Sequence, residues 1–83
     1  GGVTSYRDLA RVIADRIVSN VASVTVEARP GGARTSVTLH VADEDMGKLI
    51  GKTGRNIEAI RAVVRAAGLR HHQRVQVELK DLR

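Results

Sequence analysis

The chain has no cysteine, no tryptophan, no phenylalanine and a single tyrosine, Tyr6, among its 83 residues. Without cysteine, neither a disulfide framework nor a thiolate metal site is available. The scarcity of aromatics excludes a second class, because RNA-recognition motifs and many OB-folds stack bases on aromatic side chains, and this chain cannot supply such a platform. No apolar run approaches the roughly 18 residues that a membrane-crossing helix needs, and no signal peptide precedes the first helical pattern. A soluble, cytoplasmic protein with no membrane partner is expected. Gly1-Gly2, with no methionine, reads as a cloning remnant, and residues 1–3 as unstructured.

What is present is aliphatic and basic. Val, Ile, Leu and Ala supply almost all of the apolar content, and residues 1–83 are read as one domain near the lower size limit for a self-sufficient core. There is no internal repeat or low-complexity tract. The net charge of +5 is unevenly spread. From residue 48 to 74, Lys48, Lys52, Arg55, Arg61, Arg65, Arg70 and Arg74 stand against Glu58 alone, whereas the rest of the chain is nearly balanced. A local excess of this kind sets an attractive potential for anions, although arginine-rich helices are also simply solvated ones.

Periodicity places the elements. Tyr6, Leu9, Val12, Ile13 and Ile17 recur at helical spacing over about residues 5–19, with Ser5 as N-cap and Asn20 as a left-handed terminator. The period then changes to alternation: Val24, Val26 and Ala28, a turn at Pro30-Gly31-Gly32, then Val37, Leu39 and Val41, which reads as a hairpin. Asp43 is the expected N-cap of a short helix over about residues 44–50, whose Glu44 and Asp45 complement the helix dipole. A longer helix after Gly54 carries Ile57, Ile60, Val64 and Ala67 on one face and is expected to stop at Gly68. Val75, Val77 and Leu79 alternate in a third strand. Each strand has one apolar face, so all the helices must cover the same side. The expected fold is α+β: a two-layer sandwich of a three-stranded sheet with three helices on one face, in the order α-β-β-α-α-β.

Between the second and third helices stands Gly51-Lys52-Thr53-Gly54, a Gly-x-x-Gly turn. A helix start carries backbone N–H groups without intrahelical partners and a partial positive charge, and glycines let a phosphate backbone come close. Lys52 and Arg55 add full charges. Lys48 stands at the rim, and Arg55 has an alternative partner in Glu58. Gly51-Lys52-Thr53 also looks like the end of a Walker A loop. However, only three residues separate Gly47 from Gly51 where that motif needs four, and the segment follows a helix rather than a strand. No catalytic set emerges elsewhere. His40 falls on the polar side of its strand, His71 and His72 lie in a loop, and capping explains Asp43, Glu44 and Asp45 better than a metal site does.

Ile50, Gly51, Gly54 and Ile57 match the Ile-Gly-x-x-Gly-x-x-Ile core of KH domains, and the element order is that of the type II form. Asp45 to Arg55, with Ala59-Ile60-Arg61 and Arg65-Ala66-Ala67, is similar to the central segment of small stand-alone bacterial KH proteins, the KhpA family. The resemblance implies that Gly51, Lys52, Thr53 and Gly54 clamp about four nucleotides of single-stranded RNA. It places the bases in an aliphatic groove near Ile50 and Ile57, which are equally plausible as core residues. It further implies no catalysis, no cofactor, a part in post-transcriptional regulation or RNA chaperoning, and either a homodimer or a pair with a second KH-containing protein, KhpB. The alternative is a KH-fold module that mainly docks a partner protein and touches RNA weakly.

Overall fold

Tyr6, Ala10 and Ala14 recur every four residues and are all buried, with buried Val18 continuing the spacing just past the helix, so the first helix presents a narrow face to the rest of the protein. The computed structural model describes residues 3–32 and 34–81. Helix α1 spans Val3–Asp15, a 3-10 turn covers Val21–Ser23, and strands β1 (Thr25–Gly31) and β2 (Arg34–Val41) follow. Helix α2 is Asp43–Ile50, a short 3-10 turn covers Lys52–Gly54, α3 is Arg55–Leu69, and β3 is Arg74–Asp81. The α+β order expected from the sequence is the order observed. Expectations for Gly1 and Gly2 lie outside the described residues.

The sheet order is β1-β2-β3, with β1 antiparallel and β3 parallel to β2. The β1–β2 ladder runs through Pro30↔Thr35 to Gly31↔Arg34, so of the expected turn Pro30-Gly31-Gly32 only Gly32 lies beyond the strands. Pro30 is tolerated because β1 is an edge strand. Parallel strands need a long crossover, which α2 and α3 supply. Helix α1 packs mainly on β1 and α3 on β3. Between the layers lie Val26, Val37, Leu39, Val41, Val75 and Val77 from the sheet, with Leu49, Ile60 and Val64 from the helices. Full burial of a side chain such as Leu39 or Leu49 contributes about 1.5–3 kcal/mol. The opposite face of the sheet is polar, and among the described residues no helix covers it.

Several boundaries differ from the sequence reading. Helix α1 begins at Val3, so Ser5 lies inside it rather than at its cap, and it ends at Asp15. Its inward face is centred on Ala10 and Ala14, which allow close approach to the sheet, while Val12 is 52% exposed. Asn20 is not left-handed, with φ −104° and ψ 77°. Ala42, not Asp43, stands at the N-cap of α2, and no side chain caps that helix. Thr35 is buried at the start of the central strand, where its hydroxyl donates to Gln73 Oε1 at 3.1 Å.

Gly68 is not a left-handed terminator but a packing contact inside the last turn of α3. A Cβ there would meet Val75 Cγ2 at 2.5 Å and the Gln73 carbonyl oxygen at 2.8 Å, where β3 begins. The positive φ in this connection belongs to His72, at 57°. Gly68→Ala should therefore destabilise the fold by about 1–3 kcal/mol through overpacking, more than offsetting the gain of alanine in a helix. Urea denaturation measures this, and a stabilised variant would refute the packing account.

Candidate nucleic-acid interface

Helix α2 is held in place from its first turn. Asp45 is fully buried, and its carboxylate accepts the backbone N–H of Ser19 at 2.9 Å and of Asn20 at 3.0 Å, tying α2 to the connection after α1. This inward role was not expected of Asp45, which by sequence pairs with Glu44 in compensating the helix dipole. The Ser19 amide is the largest cause holding the Asp45 carboxyl below its ordinary value; burial opposes it, and the Asn20 amide and Lys48 ammonium add to the lowering. Lys48 donates to the Ser19 hydroxyl and stands 3.9 Å from Asp45. Its charge is thus engaged at the α1–β1 connection.

The chain leaves α2 through Gly51, whose φ of 76° with ψ of 174° suits glycine, and whose N–H closes the helix on the Gly47 carbonyl at 2.9 Å. A Cβ on Gly51 would fall 2.8–2.9 Å from Asn56 Cγ, Cβ and N. Gly51 is therefore required both by conformation and by close packing against the start of α3. Asn56 is a residue the sequence reading passed over. Its side-chain amide donates to the Lys48 carbonyl at 2.7 Å, joining the end of α2 to the start of α3 across the turn.

Thr53 and Gly54 are both left-handed, with φ 55° and 76°. For the β-branched Thr53 this is a strained backbone, costing on the order of 1–2 kcal/mol. Its hydroxyl turns back to the Lys52 carbonyl at 2.6 Å. Gly54 differs from Gly51 in that nothing lies within 4 Å of where its Cβ would stand. Gly54 is the N-cap of α3, yet no side chain caps that helix. The turn therefore presents an uncapped helix start behind a glycine with open space above it, which is an arrangement for an anion.

The sequence-predicted residues divide accordingly. Gly51 to Arg55 form one continuous surface in which Lys52, Thr53 and Arg55 are exposed. Glu58, the alternative partner for Arg55, instead meets Arg61 at 2.8 Å, and Arg61 Nε also donates to the Val77 carbonyl at 3.3 Å. Ile50 is 42% exposed and offers apolar surface beside the turn, whereas Ile57 is buried at 7%. Tyr6 is buried, with its ring centroid 6.5 Å from that of His71, so it is no stacking surface.

A glycine turn between two helices on a three-stranded sheet whose second and third strands are parallel defines a KH domain of the type II form. The chain belongs to the family described as KhpA/KhpB, KH domain, which matches residues 7–79. Among curated relatives, an RNA-binding protein KhpA of Caldanaerobacter subterraneus subsp. tengcongensis is 44% identical over 72 residues, covering 87% of this chain and 96% of the relative. The KhpA of Clostridium perfringens is 40% identical, covering 88% and 97%, and that of Bacillus subtilis 35%, covering 89% and 91%. Among solved structures, Era in complex with MgGDPNP and a segment of 16S ribosomal RNA matches 93% of this chain and 30% of its own, with TM-score 0.64 and 19% identity. That likeness is one of fold.

Two outcomes follow from the geometry. Because the folded Asp45 is more acidic than the unfolded one, its contribution to stability is complete above about pH 4 and is lost as pH falls through the lower folded value. Asp45→Asn should thus be less stable at neutral pH but lose less on acidification, as read by denaturation at pH 7 and pH 3; parallel pH curves would refute this. In the turn, Gly51→Ala meets both strain and a clash and should cost about 2–4 kcal/mol, while Gly54→Ala meets strain alone and should cost about 1–2 kcal/mol. Equal melting temperatures for the two variants would count against the packing role of Gly51.

Proposed function

We propose that this protein binds single-stranded RNA without catalysis, holding the sugar-phosphate backbone on the turn Gly51, Lys52, Thr53 and Gly54. The observation that carries this is the uncapped start of α3 behind Gly54, with open space where a Gly54 Cβ would stand. Exposed Lys52 and Arg55 neutralise the charge, and exposed Ile50 supplies apolar surface for a base. Lys48, committed to Ser19 and Asp45, supports the site by fixing α2. Ile57 supports it from the interior. The curated relatives carry the name RNA-binding protein, in accord with this chemistry.

No helix of the described residues is long and apolar enough to cross a membrane, in keeping with a cytoplasmic role on transcripts and in post-transcriptional regulation. The family description couples KhpA with KhpB, and a homodimer or a KhpB pair would join two weak sites into one of higher avidity. Exposed Val63 on α3 offers apolar surface for such a contact.

Fluorescence anisotropy with short single-stranded RNAs at two salt concentrations tests the clamp. If two or three phosphates are neutralised, the log–log salt slope should be roughly −1.4 to −2. The double variant Lys52→Asp, Thr53→Asp, confirmed folded by circular dichroism, should bind at least about tenfold more weakly, since the Lys52 cation–phosphate contact is reversed and a second negative charge enters the turn at Thr53. Unchanged binding by the folded variant would place the site elsewhere.

A further inference from the structure

At the other end of α3 from the glycine turn lies an open cleft of about 330 Å³, lined by Arg34, Arg65, Leu69, Gln73, Arg74 and Gln76. Three separate elements bring the arginines together: β2 supplies Arg34, α3 supplies Arg65 and β3 supplies Arg74. No acidic residue lines the cleft, and none of the three arginines forms an ion pair among the described residues.

This concentration of charge is unfavourable to the fold on its own. Arg34 and Arg74 are direct partners in the parallel β2–β3 register, and like charges placed opposite one another destabilise a sheet. A local rule broken without compensation inside the protein points to compensation from outside it. The remaining lining suits a nucleic-acid strand. Thr35 donates to the side-chain Oε1 of Gln73, leaving the Gln73 side-chain NH₂ as a donor. Leu69 is 69% exposed and supplies an apolar surface beside guanidinium planes on which bases stack.

The geometry points to a second RNA contact, in which the Arg34, Arg65 and Arg74 cleft takes the phosphodiester backbone of the same strand that the glycine turn holds. It rests on the reading of the turn as the clamp. Along α3 from Gly54 to Arg65 is about 17 Å at 1.5 Å per residue. A stacked strand rising about 3.4 Å per nucleotide covers that distance in about five nucleotides. The exposed charges along the way are positive except for Glu58, which Arg61 neutralises. An acidic protein segment would satisfy the arginines equally, but it has no reason to share a helix with the turn; a continuous strand does.

The test compares a uridine tetranucleotide with a uridine strand of about twelve residues, the shorter matching the four-nucleotide clamp alone. Both are titrated by anisotropy against wild type, the turn variant Lys52→Asp, Thr53→Asp, and the triple variant Arg34→Gln, Arg65→Gln, Arg74→Gln. The triple variant should bind the tetranucleotide like wild type and the longer strand at least about tenfold more weakly, with a salt slope shallower by about 2, at roughly 0.7 per lost phosphate contact. Its melting temperature should be unchanged or raised, because a like-charge pair has been removed. Wild-type affinity of the triple variant for the longer strand would overturn the second contact, and so would an equal loss on both strands. Failure of the clamp reading is separate: it would show as a turn variant that binds the tetranucleotide normally. A polyglutamate peptide that competes with the longer strand for wild type, and not for the triple variant, would reassign the cleft to an acidic protein partner.

Discussion

The parallel pairing of β2 with β3 is the constraint on which the rest of the structure depends. Parallel neighbours cannot be joined by a hairpin, so the chain leaving β2 at Val41 must return to the opposite end of the sheet before β3 can start. Helix α3 makes that return, and α2 positions its start. Their junction has to reverse direction within a few residues while both helices keep their apolar faces on the same sheet. Left-handed backbone at Thr53 and Gly54, and the close approach of Gly51 to Asn56, are the local consequences. The open, uncapped start of α3 behind Gly54 is thus a product of topology as much as of the residues that line it.

Strain at such a junction persists only when the surroundings over-determine it. Here the restraints are polar and come from far apart in the chain. Asp45 anchors the start of α2 to Ser19 and Asn20, and Asn56 fastens the end of α2 to α3 through the Lys48 carbonyl. Lys48 itself completes the first of these contacts rather than facing a ligand freely. The turn is consequently framed by half-buried hydrogen bonds at Asp45 and an exposed one at Asn56, so ligand binding need not pay the ordering cost that a loose glycine loop would incur.

The strand pattern was legible because one face of the sheet is buried and the other is not, so Val37, Leu39 and Val41 could only alternate as they do. The glycine turn was legible because two glycines at that spacing between helical patterns have few other uses. What was not legible depends on contacts between distant segments. Ala10 and Ala14 carry little hydrophobic signal, yet their small size sets the inward face of α1 and turns Val12 outward. Asp45 looks in sequence like any acid in a first helical turn, and only the fold brings the Ser19 and Asn20 amides to it. Gly68 looks like a helix stop because glycine often is one, whereas here it makes room for Val75. Glu58 suits Arg55 and Arg61 equally by spacing, and the side-chain geometry selects Arg61.

The distribution of positive charge takes on meaning only once folded. The sequence places its excess between residues 48 and 74, but Arg34 lies outside that segment and joins it through the parallel register with Arg74. The result is two basic regions at the two ends of α3, the turn around Lys52 and Arg55, and the cleft around Arg65. With Tyr6 buried and the outer sheet face polar, no aromatic platform competes with them as a reading surface. Helix α3 therefore sets the distance between the two charged regions, and its length fixes how much of a strand can be engaged at once. A protein with little core and no aromatic surface can gain affinity more readily by lengthening its electrostatic contact along a rigid helix than by strengthening any single base contact.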